Sequence, residues 1–359
     1  MPKVFSINGR FLAQPVTGVQ RYAIELLSAL DILLETPRYA KMPLECLVPP
    51  ETTSMPALRN IPVRQMGRLH GNLCEQCDLP GLARGKFLFS PANIGPAFYR
   101  NQALTFHDAS VFAIPQAYST AFRLKYRFVF RSLARRAALL FTDSQFSQHE
   151  LAKYLKVHPQ AFKVIPLGSE HITNIQANTR ILEQAALKRG GYILTVASHS
   201  LHKNFRVVIE AARQLKNLKF VAVGGSFSSV FQNNAPLAPP PNVRILGYVN
   251  DTELKALYEN ALGFVLPSLY EGFGLPVLEA MRCGCPVICS KAASLPEVAG
   301  DAALYFNPEK VAELVDVIAH FVSNPQAQER LRRLGYEQAA GFTWEKTAQM
   351  VLENLAGLL

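Results

Sequence analysis

The chain has 359 residues, of which 49% are hydrophobic and 18% are charged, and this supplies enough apolar sequence for two packed domain cores. Its apolar runs, such as residues 137–141 and 261–266, are far shorter than the roughly 20 residues that cross a bilayer, so no transmembrane helix is expected. Of the net charge of +10, residues 1–170 carry +9 because 20 basic side chains stand against 11 acidic ones there, which favours an anionic partner for that half.

The first half of the chain alternates short apolar runs with helical patterns. A strand is predicted at residues 4–8, and apolar residues then recur at helical spacing after Gly18. Further strands are predicted at 44–48, 87–89, 103–106, 139–142 and 163–165, with helices at 117–136 and 147–155. This alternation favours a parallel sheet with helices on both faces.

The same alternation starts again after a polar, weakly patterned stretch at residues 169–189, which is typical of an interdomain connection. Strands are predicted at 191–197, 219–223, 243–246, 263–266 and 286–289, and helices at 205–215, 253–260, 277–283, 311–322, 326–335 and 344–358. We therefore expect an α/β protein with Rossmann-like domains at 1–170 and 171–342, and a final helix at 343–359 that packs back toward the first domain. Ligands of such sheets bind at the carboxyl ends of the strands.

One loop of the second half combines two carboxylates with the start of a helix. A predicted strand ends at Leu266, and Pro276 suits the first turn of the next helix because its missing amide costs nothing there. Glu271 and Glu279 flank the loop, and ionised carboxylates accept hydrogen bonds from sugar or ribose hydroxyls. An anion such as a pyrophosphate fits the amides at the helix start, those of Gly272, Phe273, Gly274 and Leu275.

Residues 267–288 as a whole resemble the paired-glutamate signature of retaining GT-B glycosyltransferases, in the large fourth family that includes mannosyl-, glucosyl- and rhamnosyltransferases. The resemblance implies a GT-B fold, in which two Rossmann-like domains face each other across a cleft. It also implies that Glu271 contacts donor-sugar hydroxyls near the reacting carbon and that Glu279 holds the nucleotide ribose.

The segment at residues 196–205 resembles the part of the same family in which a lysine neutralises the leaving phosphate, which gives that role to Lys203. An arginine is common in this segment, and the chain has Ser198 and His202 instead. The resemblance therefore implies a hydrogen bond from Ser198 or His202 in place of a second fixed charge.

Three further positions match the family. Gly18 lies in a segment that resembles the glycine loop after the first strand, where the backbone approaches the donor phosphate or the acceptor. His107 resembles the strand-end histidine that approaches the donor sugar from the opposite wall of the cleft. Tyr248 and Val249 match the strand end that lines the base pocket, and Ser294 begins a turn near it.

The resemblance implies transfer of a hexose from a UDP- or GDP-linked sugar to a hydroxyl of a glycan or lipid-linked acceptor, with retention of configuration, in bacterial surface polysaccharide synthesis. The expected catalytic residues are Glu271, Lys203 and His107. No Asp-x-Asp motif occurs in the chain, so we expect no metal and no cofactor, with Lys203 and the loop amides balancing the charge of the leaving diphosphate. Cys74 and Cys77 have metal-ligand spacing without a second pair, and we interpret them as free thiols.

A basic row lies on the helix predicted at residues 117–136, and its arginines recur at every fourth position, at Arg123, Arg127, Arg131 and Arg135. Aromatic residues occupy a neighbouring row. One interpretation is contact with an anionic membrane surface, and the other is a solvated arginine face over an aromatic core. The amino terminus has no apolar signal segment, so we expect a cytoplasmic protein, peripheral at the inner face of the membrane under the first interpretation.

Other classes of protein fit the sequence less well. A sugar-nucleotide epimerase of the same architecture is the nearest enzymatic alternative, and a non-catalytic scaffold with this fold is another. No Gly-x-Gly-x-x-Gly motif follows the first strand, which disfavours a nicotinamide dehydrogenase. We expect no nucleic-acid partner, because no recognised binding module is present and such a partner would not explain the paired glutamates.

Overall fold

The structure is a computed structural model that describes residues 4–196, 200–225 and 239–358. Its strands are β1 (Phe5–Asn8), β2 (Leu44–Val48), β3 (Val63–Gln65), β4 (Phe87–Ser90), β5 (Gln102–Thr105), β6 (Leu139–Thr142), β7 (Phe162–Val164), β8 (Tyr192–Val196), β9 (Lys219–Val223), β10 (Val243–Gly247), β11 (Gly263–Leu266), β12 (Val287–Ser290) and β13 (Ala303–Phe306). Its helices are α1 (Gly18–Leu33), α2 (Gly71–Leu73), α3 (Leu79–Leu82), α4 (Ser110–Ala113), α5 (Thr120–Arg136), α6 (Gln145–Leu155), α7 (Arg180–Gln184), α8 (Phe205–Gln214), α9 (Asp251–Asn260), α10 (Leu275–Arg282), α11 (Leu295–Ala299), α12 (Val311–Val322), α13 (Pro325–Ala340) and α14 (Trp344–Ala356).

The chain forms two compact units. The first unit comprises Met1–Ala109, Leu124–Gly168 and Thr343–Leu359, and the second comprises Ser110–Arg123 and Ser169–Phe342. Each unit therefore combines segments that are distant in sequence. Among the described residues, no helix has both the length and the apolar character that crossing a bilayer requires.

A seven-stranded parallel sheet forms the centre of the first unit, in the order β3-β2-β1-β4-β5-β6-β7. Every residue of β1 is buried, as expected for a strand that helices cover on both faces. The strand order reverses between β1 and β4, and ligands of open α/β sheets bind at the carboxyl ends of the strands beside such a reversal.

The last helix, α14, completes this unit by packing against α1. Trp344 meets Tyr22 of α1 edge to face, with 6.0 Å between ring centroids. The hydroxyl of Thr347 donates to the carbonyl of Pro166 at 2.7 Å. A Cβ atom on Gly168 would lie 2.2 Å from the backbone nitrogen of Trp344, so this close approach requires glycine.

A six-stranded parallel sheet forms the centre of the second unit, in the order β10-β9-β8-β11-β12-β13. Ile193, Val265 and Ile288 from three adjacent strands pack with Phe321 of α12 in its core. The strand order reverses between β8 and β11. The loops that follow these two strands hold the residues expected to bind the donor.

The prediction of an α/β protein with two Rossmann-like units is confirmed. Ser144 caps α6, since its hydroxyl accepts a hydrogen bond from the amide of Ser147 at 3.0 Å. The stretch at 169–189, interpreted from its sequence as an interdomain connection, contains α7 and a short 3-10 helix (Glu170–Ile172). His171 and Ile172 of this 3-10 helix are buried.

Candidate active site

Lys203 lies on the loop between β8 and α8, which side-chain hydrogen bonds of Asn204 hold in place. Ser198, one of the expected phosphate contacts, falls in residues 197–199, outside the described part of the chain. Asn204 adopts a left-handed conformation with φ of 50°, and its side-chain Nδ2 atom donates to the carbonyls of Pro267 and Pro308 at 3.1 and 2.8 Å. These bonds fix the loop that carries Lys203 against the end of β11.

Lys203 and Glu271 meet directly. The Nζ atom of Lys203 donates to Oε1 of Glu271 at 2.7 Å, and the hydroxyl of Ser268 donates to the same oxygen at 2.5 Å. Burial raises the pKa of Glu271, but the positive charges of Lys203 and His202 outweigh burial and hold that pKa below its ordinary value. Glu271 is therefore an ionised hydrogen-bond acceptor at neutral pH.

The loop from Glu271 to Gly274 is held against the turn that begins at Ser294. The buried hydroxyl of Ser294 lies 3.0 Å from the carbonyl of Glu271 and 2.8 Å from that of Phe273, so it can donate to either. Gly274 has a φ of 101°, and a Cβ atom there would lie 2.5 Å from a methyl group of Leu295. The loop conformation therefore depends on glycine at this position.

Helix α10 begins directly after this loop, with Gly274 as its N-cap. Pro276 lies in its first turn, as the sequence predicts. The first amides of a helix have no acceptor within the helix, and the helix dipole favours negative charge at this end. The backbone from Gly272 to Leu275 thus offers an anion-binding helix start beside Lys203.

Glu279 is buried on the next turn of α10 and has a partner at each carboxylate oxygen. The Nε2 atom of His171 donates to Oε1 at 3.0 Å, and the hydroxyl of Tyr258 donates to Oε2 at 3.3 Å. Burial, and then the charge of Glu279, raise the pKa of Tyr258 well above its ordinary value, so its hydroxyl keeps its proton. Glu279 is therefore oriented by two residues, His171 and Tyr258, that no sequence motif singles out.

Tyr248 and Val249 follow β10. The side chain of Tyr248 is 71% exposed, whereas Val249 is half-buried. Gly247 before them has a φ of 74°. An exposed aromatic ring at the carboxyl edge of a sheet can stack on a nucleotide base.

In the first unit, His107 lies just beyond β5 and is buried. Its Nδ1 atom is 2.7 Å from Oδ2 of Asp143, and its Nε2 atom is 2.9 Å from the carbonyl oxygen of Pro91. With Asp143 ionised, both partners accept hydrogen bonds, so both ring nitrogens donate and the ring is an imidazolium. Burial lowers the pKa of His107, but the adjacent carboxylate of Asp143 outweighs burial and raises it.

Gly18 is exposed at the first position of α1, directly after the N-cap residue Thr17. A Cβ atom on Gly18 would meet no atom within 4 Å, so the fold of the unit does not itself require glycine here. A cavity of about 480 Å³ lies beside this loop, and its walls include Gln14, Val16, Glu51, Thr53 and Ser54.

In the second unit, a cavity of about 710 Å³ opens at the carboxyl ends of β12 and β13, where it is lined by Lys291, Tyr305 and Asn307. Leu269 also lines it, and the amide of Leu269 donates to the carbonyl of His202 at 2.7 Å. This space therefore adjoins the loop that carries Lys203.

The six cysteines, including Cys74 and Cys77, are free thiols. Cys74 is buried with its sulfur 3.6 Å from that of Met66, whereas Cys77 is exposed. In the described ranges, no group of three or more histidine, cysteine, aspartate or glutamate side chains is placed to hold a metal ion.

Comparison with known proteins identifies the family. The model of the family described as glycosyl transferases group 1 matches residues 179–338. The O-antigen chain mannosyltransferase B of Escherichia coli is 34% identical over 269 residues, which are 70% of this chain and 70% of that protein. The chain belongs to the group 1 glycosyltransferases. The family predicted from the paired glutamates is thereby confirmed.

Solved structures agree on the fold of this glycosyltransferase. Sucrose-phosphate synthase from Thermosynechococcus elongatus superposes with a TM-score of 0.76 at 17% identity, and 99% of each chain is covered. HepE from Anabaena, in complex with UDP and glucose, superposes with a TM-score of 0.71 at 18% identity, again over 99% of each chain. At such low identity the likeness concerns the fold alone.

Proposed function

We propose that this glycosyltransferase moves a hexose, with mannose as the first candidate, from a UDP- or GDP-linked sugar to a hydroxyl of a glycan or lipid-linked acceptor. The E. coli relative, an O-antigen chain mannosyltransferase, supports mannose and a place in bacterial surface polysaccharide synthesis. The complex of HepE with UDP and glucose supports a nucleotide-sugar donor. The expected setting is the cytoplasm.

The observation that carries this proposal is the contact between Lys203 and Glu271, at the reversal of strand order in the second sheet. In the proposed complex, the pyrophosphate lies on the amides of Gly272 to Leu275 and beside Lys203. Glu271 accepts hydrogen bonds from the transferred sugar, and Glu279 accepts them from the ribose. Tyr248 stacks on the base.

As the sugar leaves, negative charge develops on the diphosphate, and positive charge placed there beforehand lowers the barrier. Lys203 and the start of α10 supply this charge, so we propose a reaction that needs no metal ion. We also propose that the anomeric configuration is retained, as the family resemblance implies. Because both ring nitrogens of His107 are engaged, we assign it a fixed positive charge rather than proton transfer.

The proposal is tested by incubating the protein with UDP- and GDP-hexoses and a lipid-linked acceptor extract, with and without EDTA. We expect one donor to give a glycosylated product with retained configuration by NMR, equally well with EDTA. Glu271→Gln should lower turnover about a hundredfold or more, as loss of a group that stabilises the transition state does. Donor conversion without an acceptor would instead identify an epimerase, and no conversion of any donor would contradict the proposal.

A further inference from the structure

The basic helix α5 presents a different surface from the one that its sequence suggests. It carries six basic residues and no acidic one. Within the row of four arginines, Arg123 and Arg127 are half-buried, and only Arg131 and Arg135 are exposed. The four arginines therefore do not form the outer face of the helix.

The outer face combines two exposed apolar residues with these two exposed arginines. Leu124 and Phe128 are 62% and 60% exposed. Along α5, Phe128 lies four residues after Leu124, Arg131 three residues after Phe128, and Arg135 four residues after Arg131. Residues at such spacings lie on one stripe of a helix. The amino-terminal part of the stripe is thus apolar, and the carboxyl-terminal part is positively charged.

A third exposed apolar residue lies beside the carboxyl end of α5. Phe98, in the loop between β4 and β5, is 70% exposed. The guanidinium of Arg136, near the end of α5, lies 5.5 Å from the centre of its ring. Phe98 and residues 124–136 all belong to the first unit. We call Phe98, Leu124, Phe128, Arg131, Arg135 and Arg136 the α5 surface.

Large apolar side chains that are exposed together and bordered by cations fit the boundary between the headgroups and acyl chains of a bilayer. The apolar groups enter the boundary, and the guanidinium groups bind lipid phosphates, because an anionic leaflet attracts basic residues. A nucleic acid would use the same arginines but would gain little from Leu124 and Phe128.

We propose that the α5 surface docks on an anionic phospholipid bilayer, with Phe98, Leu124 and Phe128 inserted at the headgroup boundary. This docking is independent of the transfer reaction, because it requires neither donor nor acceptor. For an enzyme that uses a lipid-linked acceptor, it would bring the first unit to the surface on which that acceptor resides.

The test measures binding of the full chain to vesicles of phosphatidylcholine alone and of an equimolar mixture with phosphatidylglycerol. We expect binding to the anionic vesicles only. Replacement of Arg131 and Arg135 by Gln should weaken it about thirtyfold, since each basic residue near an anionic surface contributes about 1 kcal/mol. The matched control replaces the exposed Lys188 and Arg189 by Gln and should bind like the wild type.

The apolar part of the surface has its own pair of variants. Leu124→Ser with Phe128→Ser should weaken binding at least about tenfold, since each buried CH₂ contributes about 0.8 kcal/mol. The control is Ile32→Ser with Leu73→Ser, because these residues are 64% and 62% exposed and lie outside the surface. Far-UV circular dichroism and thermal unfolding of each variant check that it is folded.

Three outcomes would overturn the proposal. One is equal binding by the test and control variants, and another is equal binding to neutral and anionic vesicles. The third is a combined result: the Leu124 and Phe128 variant binds vesicles like the wild type, the arginine variant does not, and RNA displaces the wild type from the vesicles. That result would indicate a site for polyanions instead. None of these outcomes depends on the transfer assay, so failure of the docking proposal and failure of the proposed function are distinguishable.

Discussion

At the residue scale, the two glutamates of the candidate site, Glu271 and Glu279, are held by different partners. Glu271 pairs with Lys203, and its pKa in the folded protein is lower than the ordinary value of 4.5. The ion pair therefore stabilises the fold fully above pH 4.5, and this contribution is lost as the pH falls through the folded pKa of Glu271. Glu279 is held by His171 and Tyr258. The Glu271 carboxylate is therefore available for donor hydroxyls throughout the neutral range.

His171 is expected to act on the donor through Glu279. Its replacement by Asn removes a hydrogen bond to a charged group, worth about 1.5–3 kcal/mol, so KM for the donor should rise about tenfold or more while kcat changes little. His171→Gln, whose longer amide can reach Glu279, should recover part of the loss. Steady-state kinetics check this, and a fall in kcat with unchanged KM would contradict the positioning role.

His107 is expected to stabilise the first unit in a pH-dependent way. Because its folded pKa is raised, its contribution is fully present below the unfolded pKa and is lost as pH rises through the folded pKa. His107→Gln leaves Asp143 buried without its partner, so it should lower the free energy of unfolding by about 3–5 kcal/mol near pH 6 and by less at high pH.

Two measurements check this prediction. Proton–nitrogen NMR correlations of the His107 ring should show an imidazolium above pH 6.5, and urea unfolding should give a smaller penalty for His107→Gln as pH rises. A neutral ring at pH 7 would exclude the charged pair, as would a penalty that is the same at every pH.

At the element scale, α10 and α1 both have a glycine where they begin, but for different reasons. Gly274 has a φ of 101° and packs against Leu295, so its own unit needs glycine there. Gly18 has open space around its Cα atom. The folded chain alone therefore explains why residue 274 is glycine, but it does not explain why residue 18 is glycine. For Gly18 we propose that a ligand approaches the backbone closely.

The matched pair Gly274→Ala and Gly18→Ala separates these reasons. Gly274→Ala should lower the free energy of unfolding by about 1–3 kcal/mol because of backbone strain, and it should also weaken nucleotide binding. Gly18→Ala should leave thermal stability unchanged or slightly higher and still lower kcat/KM. Full activity in Gly18→Ala would show that no ligand approaches this backbone.

Most elements were predictable because their apolar periodicity is strong. The prediction places β2, β6, β9, β11 and α12 at the residues that the structure shows. Two edge strands, β3 and β13, were missed. Strand β3 has three residues that are half-buried or exposed, and β13 is an apolar run of four residues, too short for periodicity alone to assign to a strand. The short helices at Gly71–Leu73 and Leu79–Leu82 were missed for the same lack of periodicity.

At the scale of the whole molecule, the first unit is closed by the last segment of the chain. Leu352 on α14 is fully buried, whereas Met350 on the same helix is 36% exposed. Leu352→Ala should lower the free energy of unfolding of this unit by about 2–5 kcal/mol, and Met350→Ala should change it by no more than about 0.5 kcal/mol. Urea unfolding checks both, and equal effects would mean that α14 is not part of the core.

The candidate site was only partly predictable. Glu271, Glu279 and Lys203 lie in local motifs, so the sequence alone singles them out. The partners of Glu279 are far from it along the chain, since His171 precedes it by 108 residues and lies in a polar stretch without a pattern. Asp143 is paired with His107 across 36 residues. Such contacts follow from the packing of the sheet and helices, which periodicity does not specify.

The central claim is that the second unit binds a nucleoside diphosphate through Lys203, the start of α10 and Glu279, and calorimetric titration with UDP and GDP tests it most directly. We expect one of the two to bind with one-to-one stoichiometry, and Lys203→Gln and Glu279→Gln each to weaken binding about tenfold or more. The exposed Lys216→Gln control in the same unit should bind like the wild type. Absence of binding by the wild type, or equal affinities in all four proteins, would contradict the claim.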